Sequence, residues 1–65
     1  MQITLNGQST ATAALTLLDM IIEQGFAPDA VIADVNFELI KRECWQDHLL
    51  HEGDTVELLS FVGGG

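Results

Sequence analysis

Apolar and polar residues alternate at the start of the chain, where Ile3 and Leu5 are interleaved with Gln2 and Thr4. A period of two predicts a strand with one buried face. Asn6-Gly7 follows and predicts a type I′ hairpin, because both central positions of that turn need positive φ. The return run from Gln8 to Thr12 is small and polar, which suits a sheet edge better than its centre. The period then changes. Leu15, Leu18, Ile21 and Ile22 fall at i, i+3, i+6 and i+7, one apolar face of a helix of about two to three turns. Thr16 with Asp19 three residues on reads as its capping box. Gly25 reads as a left-handed stop with Phe26 folded back over Ile21, and Pro28 as a bar to restarting.

Beyond the helix, VIADVN at 31–36 and FELIK at 37–41 predict two further strands. Residues 42–54 keep no sustained period and read as irregular chain or a single helical turn, closed by Glu52-Gly53-Asp54. The run TVELLSFV at 55–62 is apolar enough for a central strand. The predicted order is β-β-α-β-β-β. One helix to cover one sheet face makes this an α+β, two-layer domain over residues 1–62, with 63–65 as a flexible glycine tail. Trp45 and Phe37 are expected in the core or as a lid over the small sheet.

Composition narrows the function. Sixty-five residues make one domain, and a chain so short buries only roughly 60% of its unfolded surface. Cys44 is the only cysteine, so no internal disulfide forms and the chain reads as reduced and intracellular. The opening MQITLNGQ has neither the basic nor the apolar segment of a signal peptide, and AALTLLDMII at 13–22 is too short to span a bilayer. A soluble cytoplasmic protein without a membrane partner is expected. Ten acids against two bases give a net charge of -8, the wrong sign for nucleic-acid binding. That charge serves solubility alone or suits a partner with a basic surface, with Glu52, Asp54 and Glu57 as the candidate acidic face.

Chemistry-bearing clusters are few. Asp47, His48, His51, Glu52 and Asp54 could ligate a metal, but Cys44 is the only soft ligand nearby and no CxxC pair supports it, so a solvated turn without metal is expected. A reactive thiol needs an electropositive setting; acids surround Cys44, which predicts a half-buried structural cysteine. A domain this small has little volume for a pocket holding two catalytic carboxylates, so neither enzymatic activity nor a bound cofactor is expected. FVGGG at 61–65 is left without a structural explanation. Glycines add almost nothing to a core, so the end is padding or a substrate. A chain without Cβ atoms can lie extended in a narrow channel, and Gly65 has no side chain to obstruct attack on its carboxylate.

The NG hairpin, the segment Val31-x-Ala33-x-Val35-Asn36, Arg42 and Trp45, and the end EGDTVELLSFVGGG at 52–65 together resemble the ThiS family of thiamin-biosynthesis sulfur carriers. The resemblance covers essentially the whole chain and is most specific in that end. It implies a ubiquitin-like β-grasp fold, with first and last strands adjacent in a mixed sheet and the helix packed across it. It also implies that a ThiF-like adenylating enzyme uses ATP to adenylate Gly65, and that a sulfur donor such as a cysteine desulfurase persulfide turns the adenylate into a thiocarboxylate. Thiazole synthase then takes the sulfur for the thiamin thiazole ring. Phe61, Val62, Gly63 and Gly64 are the partner contacts it implies. Two departures stand out: Lys41 occupies a place where many relatives have proline, and Phe37-Glu38-Leu39 replaces a more polar turn. The rivals are the small subunit of molybdopterin synthase, a ubiquitin-like modifier joined to target lysines, and a plain interaction module. A modifier leaves a ladder of conjugates, and a plain module keeps its binding without Gly64 and Gly65.

Overall fold

Asn6 and Gly7 take φ of 49° and 84°, the left-handed pair that a two-residue hairpin needs. They join β1 (Gln2–Leu5) to β2 (Gln8–Ala11) with Leu5 opposite Gln8. In this computed structural model, which describes residues 1–61, the chain continues through α1 (Leu17–Glu23), a 3-10 turn at Pro28–Ala30, β3 (Val31–Val35) and β4 (Glu38–Leu39). A second 3-10 turn at Arg42–Cys44 precedes β5 (Thr55–Ser60). The expectations placed on Val62, Gly63, Gly64 and Gly65, including the division between domain and tail, lie outside the described residues.

The sheet order is β2-β1-β5-β3-β4, so the polar hairpin arm is an edge and the last strand is central. β1 and β5 run parallel; every other neighbouring pair is antiparallel. Ile3, Val31, Ala33, Val35, Val56 and Leu58 bury one sheet face against Leu17, Met20 and Ile21 of α1. This is the expected two-layer α+β arrangement with one helix across a mixed sheet.

Helix ends follow the sequence signals, but its buried stripe does not. Thr16 is the N-cap, its hydroxyl accepting from the Asp19 amide at 3.1 Å. At the other end Gly25 sits at φ 84°. The Phe26 and Gly25 amides donate to Ile21 and Ile22 carbonyls, the two bonds of a Schellman stop. Because α1 starts at Leu17, Leu15 lies outside it and is exposed, as is Ile22; the buried face is Leu17, Met20 and Ile21. Thr16→Ala should lower stability by about 1 kcal/mol, read as a lower urea midpoint at unchanged slope.

The strand expected at 37–41 is mostly absent. Asn36 and Phe37 take φ of 53° and 69° and form a second two-residue turn, with Val35 opposite Glu38. Only Glu38–Leu39 remains as strand, and Phe37 is 81% exposed rather than a core or lid residue. A bulky residue in the left-handed region is strained. The Asn36 side chain supplies the compensation: its Oδ1 accepts from the Thr55 amide at 3.0 Å and its Nδ2 donates to Asp54 Oδ1 at 3.2 Å. Asn6 does the same on the other flank of β5, accepting from the Leu58 amide at 2.8 Å and donating to its carbonyl at 3.2 Å. Each hairpin turn is thus stapled to the central strand by an asparagine.

The stretch 42–54 is irregular because its backbone serves the helix. The amides of Leu17 and Leu18 donate to the carbonyls of His48 and Trp45, and Leu50 donates to Leu15. Those helix amides have no partner within α1, so the loop satisfies them. Trp45 anchors the stretch, 2% exposed, with its indole N–H donating to the Ile40 carbonyl at 2.9 Å. Cys44, expected half-buried, is exposed at the end of its 3-10 turn. No helix among the described residues is long and apolar enough to cross a membrane.

Candidate functional site

Side chains alternate between the two faces of a strand, so β5 sends Val56 and Leu58 into the core and Thr55, Glu57 and Leu59 to the face the helix leaves bare. Phe61 continues that alternation, 45% exposed, with its amide still donating to the Ala30 carbonyl at 2.9 Å. From β3, Ile32 stands opposite Leu59, and Asp34 stands opposite Glu57 on one side and Leu39 on the other. The open face therefore carries four exposed apolar side chains, Ile32, Leu39, Leu59 and Phe61, with two carboxylates among them. Monomers seldom expose a contiguous apolar patch without using it.

The two carboxylates repel. The Asp34 charge, the largest cause, raises the Glu57 carboxyl above its ordinary value of 4.5. Asp34 Oδ1 is buried and has no hydrogen-bond partner. Asn6, Asp34, Glu57, Leu58 and Leu59 line a shallow hollow of about 390 Å³ between the strands.

The acidic face expected from Glu52, Asp54 and Glu57 does not form. Glu52 accepts from the Gln2 amide at 3.0 Å and pins the start of β1, while Asp54 accepts from the His51 amide at 2.8 Å and from Asn36. Both acids are committed to the turn before β5, and only Glu57 stands on the open face. His51 Nδ1 lies 3.9 Å from Asp54 Oδ2 at the surface. Among the described residues no three His, Cys, Asp or Glu side chains are placed to hold a metal ion.

Of the site residues expected from the sequence, Phe61 is at the edge of this face, and Val62 to Gly65 lie beyond the described residues. Four residues span at most about 14 Å, so any chemistry at Gly65 takes place within that distance of Phe61. Ile32, Asp34, Leu39 and Leu59 were not singled out by the sequence. For Ile32, Asp34 and Leu59 the signal is parity: in 31–35 and 55–59 the even residues of one strand and the odd residues of the other leave the core together.

The profile of the ThiS family matches residues 2–65. A thiazole synthase of Magnetococcus marinus is 36% identical over 66 residues, covering 100% of this chain and 20% of that protein. The sulfur carrier protein ThiS of Escherichia coli is 32% identical, with 100% of both chains covered. This chain thus spans about a fifth of the first relative and the whole of the second. Among solved structures, the thiamine biosynthesis protein ThiS of Geobacter metallireducens superposes with a TM-score of 0.83 at 28% identity, over 100% of each chain. A solution structure of a thiamine biosynthesis protein from the same organism gives 0.82 at 33% identity, over 100% of this chain and 88% of that one. The fold is that of the ubiquitin-like β-grasp proteins, as the resemblance implied.

Proposed function

The chain belongs to the ThiS family, and on that footing we propose that it is a sulfur carrier of thiamine biosynthesis, a co-substrate rather than an enzyme, that bears sulfur on Gly65. The observation that carries this reading is that the family match runs through the closing glycines to residue 65. A carboxylate is a poor acyl donor because oxide is a poor leaving group. A ThiF-like enzyme removes that obstacle: a Gly65 carboxylate oxygen attacks the α-phosphorus of ATP, pyrophosphate leaves, and an acyl-adenylate forms. The outer sulfur of a cysteine-desulfurase persulfide then attacks the acyl carbon and AMP departs. A second thiol cleaves the resulting S–S bond, becoming the disulfide partner and leaving the thiocarboxylate.

Thiazole synthase is the acceptor in this proposal. A stretch similar to this chain makes up 20% of the Magnetococcus marinus thiazole synthase, which favours a carrier and a synthase working side by side. The open face, with Phe61 at its edge, suits docking on the adenylating enzyme, and Val62, Gly63 and Gly64 suit a narrow channel to its active site. ATP is used by that enzyme and no cofactor is held by the carrier.

The test is the intact mass of the protein after incubation with adenylating enzyme, ATP and a persulfide donor. The expected result is one oxygen exchanged for sulfur, located at Gly65 by fragmentation and dependent on ATP. An unchanged mass beside a demonstrably active enzyme overturns the proposal.

A further inference from the structure

We propose that the Gly65 carboxylate of the free carrier parks against Arg42, in a hollow shared by α1 and the two 3-10 turns, and is released from there to its enzymes. This goes beyond the carrier reading and rests on it for one point, that Gly65 closes the chain as a free carboxylate. Charge selects the site. Lys41 and Arg42 are the only lysine or arginine side chains in the sequence, against ten acids. Among the described residues neither forms an ion pair. Arg42 lines a hollow of about 370 Å³ together with Leu18, Pro28, Glu43, Trp45 and Gln46, and Lys41 does not. Leu18, Pro28 and Trp45 make part of its wall apolar, which thins the water around the guanidinium and strengthens its attraction for an anion. The planar fork of the guanidinium can donate to both oxygens of one carboxylate.

The length of chain beyond the described residues fits the same place. The Phe61 amide donates to the Ala30 carbonyl at 2.9 Å, and Ala30 ends the 3-10 turn that begins at Pro28. From Ala30 to Pro28 is at most about 8 Å of chain, and the four residues after Phe61 span at most about 14 Å. The Pro28 wall of the hollow is therefore within reach of the chain end. Three of those four residues are glycines, which bring no Cβ against the wall.

A carrier needs such a contact to be weak. Ordering glycines costs entropy that one ion pair returns only in part, so parked and released forms exchange and the chain end stays available. Glu43, on the same wall, repels the arriving carboxylate and tempers the contact further. The parked fraction lowers the apparent affinity of any enzyme that must draw the tail out, and by that fraction alone.

The experiment follows the isotope-labelled full chain by nuclear magnetic resonance, with a nitroxide on Cys44. That residue is exposed, the only cysteine, and two positions from Arg42. Broadening of the Gly64 and Gly65 amides by the nitroxide reads the parked population. It should fall about two- to fivefold in Arg42→Gln and in about 1 M salt, the effect of losing or screening a partly exposed ion pair. It should rise in Glu43→Gln and change less in Lys41→Gln than in Arg42→Gln. Melting curves certify the fold of each variant, and intact-mass loading is read on unlabelled samples. Equal broadening in the wild type and a folded Arg42→Gln variant overturns the parked tail, as does an equal effect of Lys41→Gln, which would mean diffuse attraction only. Sulfur loading in those samples leaves the carrier reading standing. A chain that never gains sulfur overturns the carrier reading, while the broadening still decides the contact.

Discussion

Removing Gly64 and Gly65 should abolish thiocarboxylate formation completely while leaving the fold as it is. Among the described residues the buried core ends at Leu58, and Phe61 is the last residue with a sheet hydrogen bond. Loss of residues outside that frame should change stability by less than about 0.5 kcal/mol, the usual range for changes at positions without core contacts. Loading is another matter. The shortened chain would present the Gly63 carboxylate, two residues and about 7 Å short of the adenylating site. A near-attack geometry tolerates displacements well under that distance, so no measurable turnover is expected. The shortened chain should still compete with the intact one for the enzyme, because the open face is untouched. Intact mass after incubation with ATP and persulfide, with a competition titration and a melting curve, reads all three quantities. Undiminished loading of the shortened chain would return the glycines to an incidental end.

Trp45→Ala should remove a large share of the domain's stability. Truncating a buried tryptophan costs about 3–5 kcal/mol, and a domain of this length has only about 3–10 kcal/mol in all. Trp45 is 2% exposed and packs in the same cluster as Leu17 and Leu50, so its loss opens the space between the helix and the 42–54 stretch. It also removes the indole bond to Ile40 and frees the loop whose carbonyls hold the first amides of α1. Trp45→Phe separates the two contributions: most of the apolar volume stays, the indole bond goes, and about 1–2 kcal/mol should be lost. Urea titration followed by circular dichroism measures both variants. An alanine variant with a wild-type midpoint would show that the loop holds the helix without its aromatic anchor.

How much could be read from the sequence depended on how locally each feature was determined. Asn6-Gly7 announced its hairpin because both residues belong to the turn chemistry. Asn36-Phe37 hid an equivalent turn, since phenylalanine is a poor left-handed residue and the bonds that hold Asn36 come from Thr55 and Asp54. Thr16 and Gly25 gave the helix limits, yet the buried stripe was shifted because apolar residues occupy nearly every position from Leu15 to Ile22. The stretch 42–54 had no period to detect, its long-range backbone hydrogen bonds running to residues 15–18 and to β1. The family was legible in the closing segment EGDTVELLSFVGGG, whereas the Asp34–Glu57 pair needed the register between β3 and β5. The exposure of Cys44 had no local signal, being set by the orientation of a single 3-10 turn.

The two asparagine staples have a mechanical side. β5 is gripped on one flank by the parallel β1 and on the other by the antiparallel β3, and Asn6 and Asn36 clasp its backbone at Leu58 and Thr55. A pull along its axis from beyond Phe61 loads these bonds together, in shear, instead of opening them one after another. A force that would unzip an edge strand is spread across the whole sheet. The chain can be drawn taut by its end and keep its shape.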